Sequence, residues 1–328
     1  MTAQTDGDLR VRNERWLLVA VLGYSALVVT LMVLGGLSIT PDVLLVAFLL
    51  VAVLLGRTRL FLRDWLPFIA IFLAYELMRG IADDAGFPVH VGDVIAAERF
   101  ISFGQLPTQL LQNWLAPPSG VGIAAIVATV LYMLHFALPI VTGFLLWVWR
   151  RPQYYEFVAA FILLSFAGFV TYLLLPVAPP WWAADNGQLN GPSGEPLIRY
   201  LKPDAFAVIA DRLGFDGRWL TSYVFYGVNP NGVAAFPSLH AGYPFLSFLV
   251  LRRAFGRIGW LALAYGVAVW WAIVFTGDHY LVDVLGGIAY ATVAYLATPR
   301  IGAWVASWRA RRTAERSLDA PRDEGAAA

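Results

Sequence analysis

The sequence predicts an all-α integral membrane protein, a polytopic helical bundle of about eight transmembrane helices, each needing about 20 mostly apolar residues. Composition is the first observation behind this. Some 59% of the residues are hydrophobic and 14% charged, against about 45–50% and 25% in an average soluble domain. Long apolar runs separated by short connections are the second. Arginine, crowded into alternate connections, is the third.

Residues 1–15 form a polar N-terminal segment containing Arg10, Arg12 and Arg15. The run from Trp16 to Ile39 exceeds the ~7–15 apolar residues of a signal-peptide core and lacks a small-residue cleavage site, so a retained anchor is expected. The expected spans are Trp16–Leu37 and Val43–Leu55 (a hairpin within 16–64), Trp65–Ile81, Val121–Trp149, Phe157–Leu175, Leu239–Leu251, Ile258–Phe275 and Tyr280–Ala297. With the N-terminus cytoplasmic, Arg57, Arg59, Arg63, Arg150, Arg151, Arg252, Arg253, Arg257 and Arg300 also fall inside. Short outer connections are almost free of basic residues. That asymmetry sets the orientation, with both termini cytoplasmic and the cell membrane the expected location.

Residues 65–298 read as one core with two large outer insertions. Within 83–120, Val94–Leu115 mixes apolar residues with Glu98, Arg99, Gln109 and Gln112, suiting a helix in the headgroup zone. Loop 177–235 is rich in Pro, Gly, Asn and Asp, and a segment of that length is expected to be an ordered lid. Residues 299–328 are expected to be a disordered cytoplasmic tail.

The chain has no cysteine, which removes disulfides, thiolate nucleophiles and cysteine zinc sites. A net charge of +1 gives no footing for nucleic acid. Attention falls on histidine. Phe236-Pro237-Ser238-Leu239-His240-Ala241-Gly242 and Gly277-Asp278-His279-Tyr280-Leu281-Val282-Asp283 each put a histidine at the mouth of an apolar helix on the outer side. Pro237 suits a first helical turn, and Asp278 suits an N-cap. His279 and Asp283 are four apart and share a helix face. A carboxylate one turn into an apolar helix needs a partner, and His279 supplies one. Asp283 would then fix the tautomer of His279 and leave its other nitrogen to attack phosphorus, with His240 as acid and base. Gly286, Gly287 and Ala291 are small enough to admit a second helix closely. His135, about 14 residues or ~21 Å below the outer end of its span at ~1.5 Å per residue, is expected to make an interhelical hydrogen bond.

These two motifs resemble the second and third signatures of the type 2 phosphatidic acid phosphatase superfamily, closest to its inositol phosphorylceramide synthase-like branch. Tyr172-Leu173-Leu174-Leu175-Pro176-Val177-Ala178-Pro179-Pro180-Trp181-Trp182 resembles the segment that branch carries in place of the general first signature. Arg79-Gly80, Glu98-Arg99 and Gly104-Gln105-Leu106-Pro107-Thr108 look like its bacterial members. The resemblance spans about residues 65–298. It implies a metal- and cofactor-independent reaction on a lipid phosphate through a phosphohistidine at the outer face, with His279 nucleophile, Asp283 its orienter and His240 the acid/base. Arg79, Arg99, Ser238, Tyr172 and Trp181 are its substrate-binding candidates. The general family places an arginine six residues before the nucleophile; this chain has Ile273 there. Another cation must stabilise the transferring group. Arg79, with Glu76 one turn earlier, is the first candidate, and Arg99, Arg199, Lys202, Arg212 and Arg218 are the other outer-side cations.

The expected activity is transfer of a phospho-headgroup between lipid or polyol substrates, with hydrolysis of a phosphatidic acid- or polyprenyl phosphate-like lipid as the alternative. A transporter would show inverted repeats or paired broken helices, and the sequence contains neither. A third alternative, iron or zinc held by His240, His279 and Asp283, would be exposed by chelation.

Overall fold

The computed structural model describes residues 41–79, 86–135, 137–222 and 232–318. The expected first span lies outside them. Two helices open the described chain, α1 (Pro41–Leu54) and α2 (Thr58–Arg79). The outer insertion follows as α3 (Gly92–Ile101) and α4 (Pro107–Leu115). Val94–Leu115 is therefore two helices rather than one. They part where Phe103 (φ 54°) and Gly104 (φ 85°) adopt left-handed backbone that no helix tolerates.

The span expected at Val121–Trp149 is also divided, into α5 (Ile123–Leu134) and α6 (Ala137–Trp149), bent by 40°. Pro139 explains the break, because it has no N–H to offer the carbonyl of His135. Next come α7 (Arg151–Leu174), the short α8 (Pro180–Asp185), α9 (Leu201–Arg212) and α10 (Gly217–Thr221). The last three put helices into the described part of the 177–235 segment. Three chain segments also touch as isolated parallel bridges, His90 to Val177 and Val177 to Ala234. Finally α11 (Leu239–Phe255) and α12 (Gly259–Phe275) form a hairpin, and α13 (Leu281–Leu318) closes the described chain.

The tail expected to begin at residue 299 is instead helical to Leu318. Ala303, Ala306, Ala310 and neighbouring arginines are strong helix formers that carry the last helix past Pro299. The stretches Arg151–Leu174, Leu239–Phe275 and Leu281–Trp308 are long and apolar enough to cross a membrane, with the bent α5–α6 pair a fourth. The described chain is thus mostly helical and integral to a membrane, and the larger count of spans stays an expectation.

Helix α11 is the hub, packing on α7, α12 and α13. The main core beneath it is aromatic, with Trp65, Phe144, Trp147, Phe157, Phe161 and Tyr243 in one cluster. At its edge Asp64 accepts from Trp147 Nε1 (3.0 Å), Arg151 Nε (2.8 Å) and the Tyr155 hydroxyl (3.0 Å).

The expected close approach at Gly286-Gly287 occurs between α11 and α13. A Cβ on Gly287 would run into the backbone carbonyl of Ser238, and one on Gly286 into the Phe236 ring. Gly287→Ala should therefore destabilise the protein by about 1–3 kcal/mol, read as a lower melting temperature in detergent. Gly302→Ala on the same helix, with nothing within 4 Å, should be neutral or slightly stabilising.

Candidate active site

Ser238 ends the approach to α11 with extended backbone, and its hydroxyl accepts from the amide of Ala241 at 3.3 Å. It is therefore the N-cap, and the helix starts at Leu239. Pro237 lies two residues before the helix, outside the first turn expected for it. His240, second in the helix, is half-buried at its mouth.

His279 arrives from the end of α12. Gly277 turns the chain at φ 86°, and the carbonyl of Ile273 accepts from both Asp278 N (3.0 Å) and His279 N (3.1 Å). Its Nε2 lies 3.0 Å from Nδ1 of His240, so the two motifs meet. On its other side, Nδ1 is 3.0 Å from the carbonyl of Ala235 and 3.6 Å from Oδ2 of Asp283.

The carbonyl of Ala235, rather than Asp283, is thus the nearer hydrogen-bond partner of the ring. A separation of 3.6 Å is too long for a hydrogen bond. The near oxygen of Asp283 instead accepts from the amide of Tyr280 at 2.8 Å. Nδ1–H of His279 donates to Ala235, which leaves a lone pair on Nε2 facing His240. Asp283 remains buried beside the ring as its closest negative charge.

Sequence reasoning missed the role of Glu98. Its carboxylate is fully buried and accepts from the amides of Leu281 (2.9 Å) and Val282 (3.0 Å). The N-terminus of α13 is thus capped twice, by its own Asp283 and by α3. The signal lay in the spacing. Glu98 follows Val94 and Ile95 by four and three residues, on the face that α3 buries.

Asp278 is not the helix cap it looked like. It forms a buried ion pair with Lys202 (2.5 Å) and accepts from Thr276 Oγ1 (2.6 Å) and the Tyr200 hydroxyl (3.4 Å). Burial works against the ammonium, but Asp278, then Tyr132 and Tyr200, outweigh it and hold Lys202 protonated above its ordinary value. Its Nζ sits 3.5 Å from the Tyr132 ring centre.

His135 was placed too deep by the sequence. That depth was counted along α5 alone, whereas α11 carries His240 to the same level. The ring of His135 is buried 4.3 Å from that of His240, with its Nδ1 on the carbonyl of Tyr132. Tyr132 stacks on His240 at 4.7 Å.

The substrate-binding candidates scatter. Ser238 is wholly buried as a cap. Tyr172 is buried and gives its hydroxyl to the carbonyl of Pro237 at 2.6 Å, so it shapes the turn before α11. Trp181 stacks on Tyr200 at 4.8 Å, one contact from Asp278. Arg99 is exposed. The side chain of Arg79 lies outside the described residues. Arg199 is committed to the carbonyls of Pro117 (2.7 Å) and Pro118 (3.5 Å). Among the described residues no group of three or more His, Asp or Glu is arranged to hold a metal ion.

A profile of the PAP2 superfamily matches residues 93–297, the stretch that carries every one of these contacts. The chain belongs to the PAP2 superfamily. Curated relatives place it in the inositol phosphorylceramide synthase-like branch. It is 26% identical over 248 residues to the Phosphoinositol dihydroceramide synthase of Bacteroides thetaiotaomicron, covering 70% of this chain and 74% of that one. It is 27% identical over 170 residues to the Inositol phosphorylceramide synthase catalytic subunit aur1 of Schizosaccharomyces pombe, covering 50% of this chain and 37% of the relative. The Saccharomyces cerevisiae catalytic subunit AUR1 is 26% identical over 258 residues, 77% of this chain and 60% of its own. No solved structure gives a significant match. This PAP2 protein is accordingly an enzyme, a phosphotransferase or phosphatase acting in lipid metabolism.

Burial first, and then the charge of Asp283, push the Glu98 carboxyl above its ordinary 4.5, against the pull of the two amides it caps. A carboxyl raised by folding contributes stability that is present below its unfolded value and lost as pH rises through the folded one. Glu98→Gln removes this titration. Its melting temperature relative to wild type should therefore climb as pH rises from about 4.5 towards 7, above a constant deficit from the weakened cap. A flat difference would show that Glu98 does not titrate there.

Proposed function

We propose that this protein is a membrane phosphotransferase that moves a phospho-headgroup to a lipid alcohol through a phosphohistidine at the outer membrane face. The observation that carries this is the 3.0 Å contact between His279 Nε2 and His240 Nδ1, with the opposite face of His279 held by a backbone carbonyl.

In the first half-reaction Nε2 of His279 attacks phosphorus. The N–P bond forms as the bond to the donor lipid oxygen breaks, and His240, entering as imidazolium, gives that oxygen its proton. In the second, His240 takes the proton of the incoming hydroxyl. The hydroxyl oxygen attacks phosphorus, the N–P bond breaks, and both imidazoles return to their starting state. The buried carboxylate of Asp283 favours the positive charge that His279 acquires on phosphorylation.

The names of the relatives support one substrate class for this reading: a phosphoinositol group moved onto a ceramide-type alcohol. An apolar groove between α4, α12 and α13, lined by Leu111, Trp270, Trp271, Leu281 and Leu285, suits an acyl chain close to the start of α13. The arginine asymmetry of the sequence supports the outer face and cytoplasmic termini.

The test uses purified protein and phosphatidylinositol labelled in its phosphate. Label should pass to ceramide when ceramide is present, and a small fraction should stay on the protein without it. His279→Ala should abolish both, and His240→Ala should slow transfer by about 10²–10⁴-fold. Rapid release of labelled inositol phosphate without an acceptor would replace transfer by hydrolysis as the activity.

A further inference from the structure

We propose that Lys202 is the cation that binds the transferring phosphoryl group, in place of the arginine clamp whose position is occupied by the buried Ile273. This rests on the phosphotransfer reading above and names the residue it leaves missing.

Lys202 is the one lysine in the chain, and it is 2% exposed. Its position is tied to the two histidines by short contacts from both directions. Through Asp278 (2.5 Å) it is joined to the residue immediately before His279. Through Tyr132 it is joined to His240, the ammonium lying 3.5 Å from the tyrosine ring centre and that ring stacking 4.7 Å from the imidazole.

The plain alternative is that the ion pair only fastens α9 to the loop between α12 and α13. That fastening already exists. Gln112 gives its amide to the carbonyls of Arg199 (2.9 Å) and Phe275 (2.9 Å) and accepts from the amide of Arg199 (2.9 Å). Leu201 N adds a bond to the carbonyl of Thr276 at 3.3 Å. A buried ion pair is a poor fastener beside these, because desolvation cancels much of its attraction.

Asp278 is also a divided partner, since Thr276 and Tyr200 share its carboxylate with Lys202. Asp278 can keep those two hydroxyl partners while the ammonium turns to a phosphoryl oxygen beside His279. The other described outer-side cations are placed differently: Arg199 on the carbonyls of Pro117 and Pro118, and Arg99, Arg212 and Arg218 exposed.

Orthovanadate, which mimics a phosphoryl group in transfer, is the probe. The full-length protein would be compared with Lys202→Met and with the charge-neutral pair Lys202→Met/Asp278→Asn. The single variant leaves a buried carboxylate unpaired and should melt lower; the double should recover much of that loss. Transfer should nonetheless stay about 10²–10³-fold down in the double variant, with orthovanadate inhibition weakened at least ~10-fold. A double variant with wild-type rate and wild-type orthovanadate sensitivity would overturn the proposal.

A measurement without substitution guards against variants that fail to fold. Protein labelled with ¹³Cε-lysine gives one side-chain signal, from Lys202. It should shift as orthovanadate is added, and an unmoved signal at concentrations that inhibit would also overturn the proposal. If the wild-type protein transfers no headgroup and ignores orthovanadate, the phosphotransfer reading itself falls, which separates the two failures.

Discussion

No side chain fits between Gly287 and the carbonyl of Ser238, and the site depends on that closeness. It seats the first turn of α11 directly on the first turns of α13, and the amide of Ser238 donates to the carbonyl of Asp283 at 3.0 Å across the seam. Each imidazole is then carried by main chain that is itself hydrogen-bonded to the other's helix. The 3.0 Å approach of His240 to His279 is thus a backbone property, insulated from the rotamer freedom of long side chains.

The second condition is electrostatic. A helix N-terminus leaves up to four amides without partners, and in an apolar setting each must be met. At α13, Asp283 meets that of Tyr280 while Glu98 reaches over from α3 to meet those of Leu281 and Val282. Two carboxylates buried at one helix start are costly in a low-dielectric interior. Asp283, 3.6 Å from Nδ1 of His279, also favours positive charge on that ring.

Membrane character, many helix positions and the two histidine motifs that meet were legible because each is local. Hydropathy marks a helix wherever it runs, and His240, His279 and Asp283 could be picked out from their places at the mouths of apolar helices. Errors arose where one residue had two possible jobs. Asp278 has the chemistry of a cap but pairs with Lys202; Ser238 and Tyr172 have the chemistry of substrate contacts but shape the backbone. His135 was misjudged because depth along its own helix says nothing of how far in α11 carries His240.

Taken alone, the amino-acid order determined that the chain is helical and membrane-bound, and which three side chains to watch, since hydrophobicity and residue type act over a few turns. Tertiary structure decided what surrounds them. The carbonyl of Ala235 on His279, Glu98 at the start of α13, Lys202 against Asp278 and His135 against His240 all join residues distant in the chain. Those partnerships depend on how close two backbones come, a distance that no local pattern encodes.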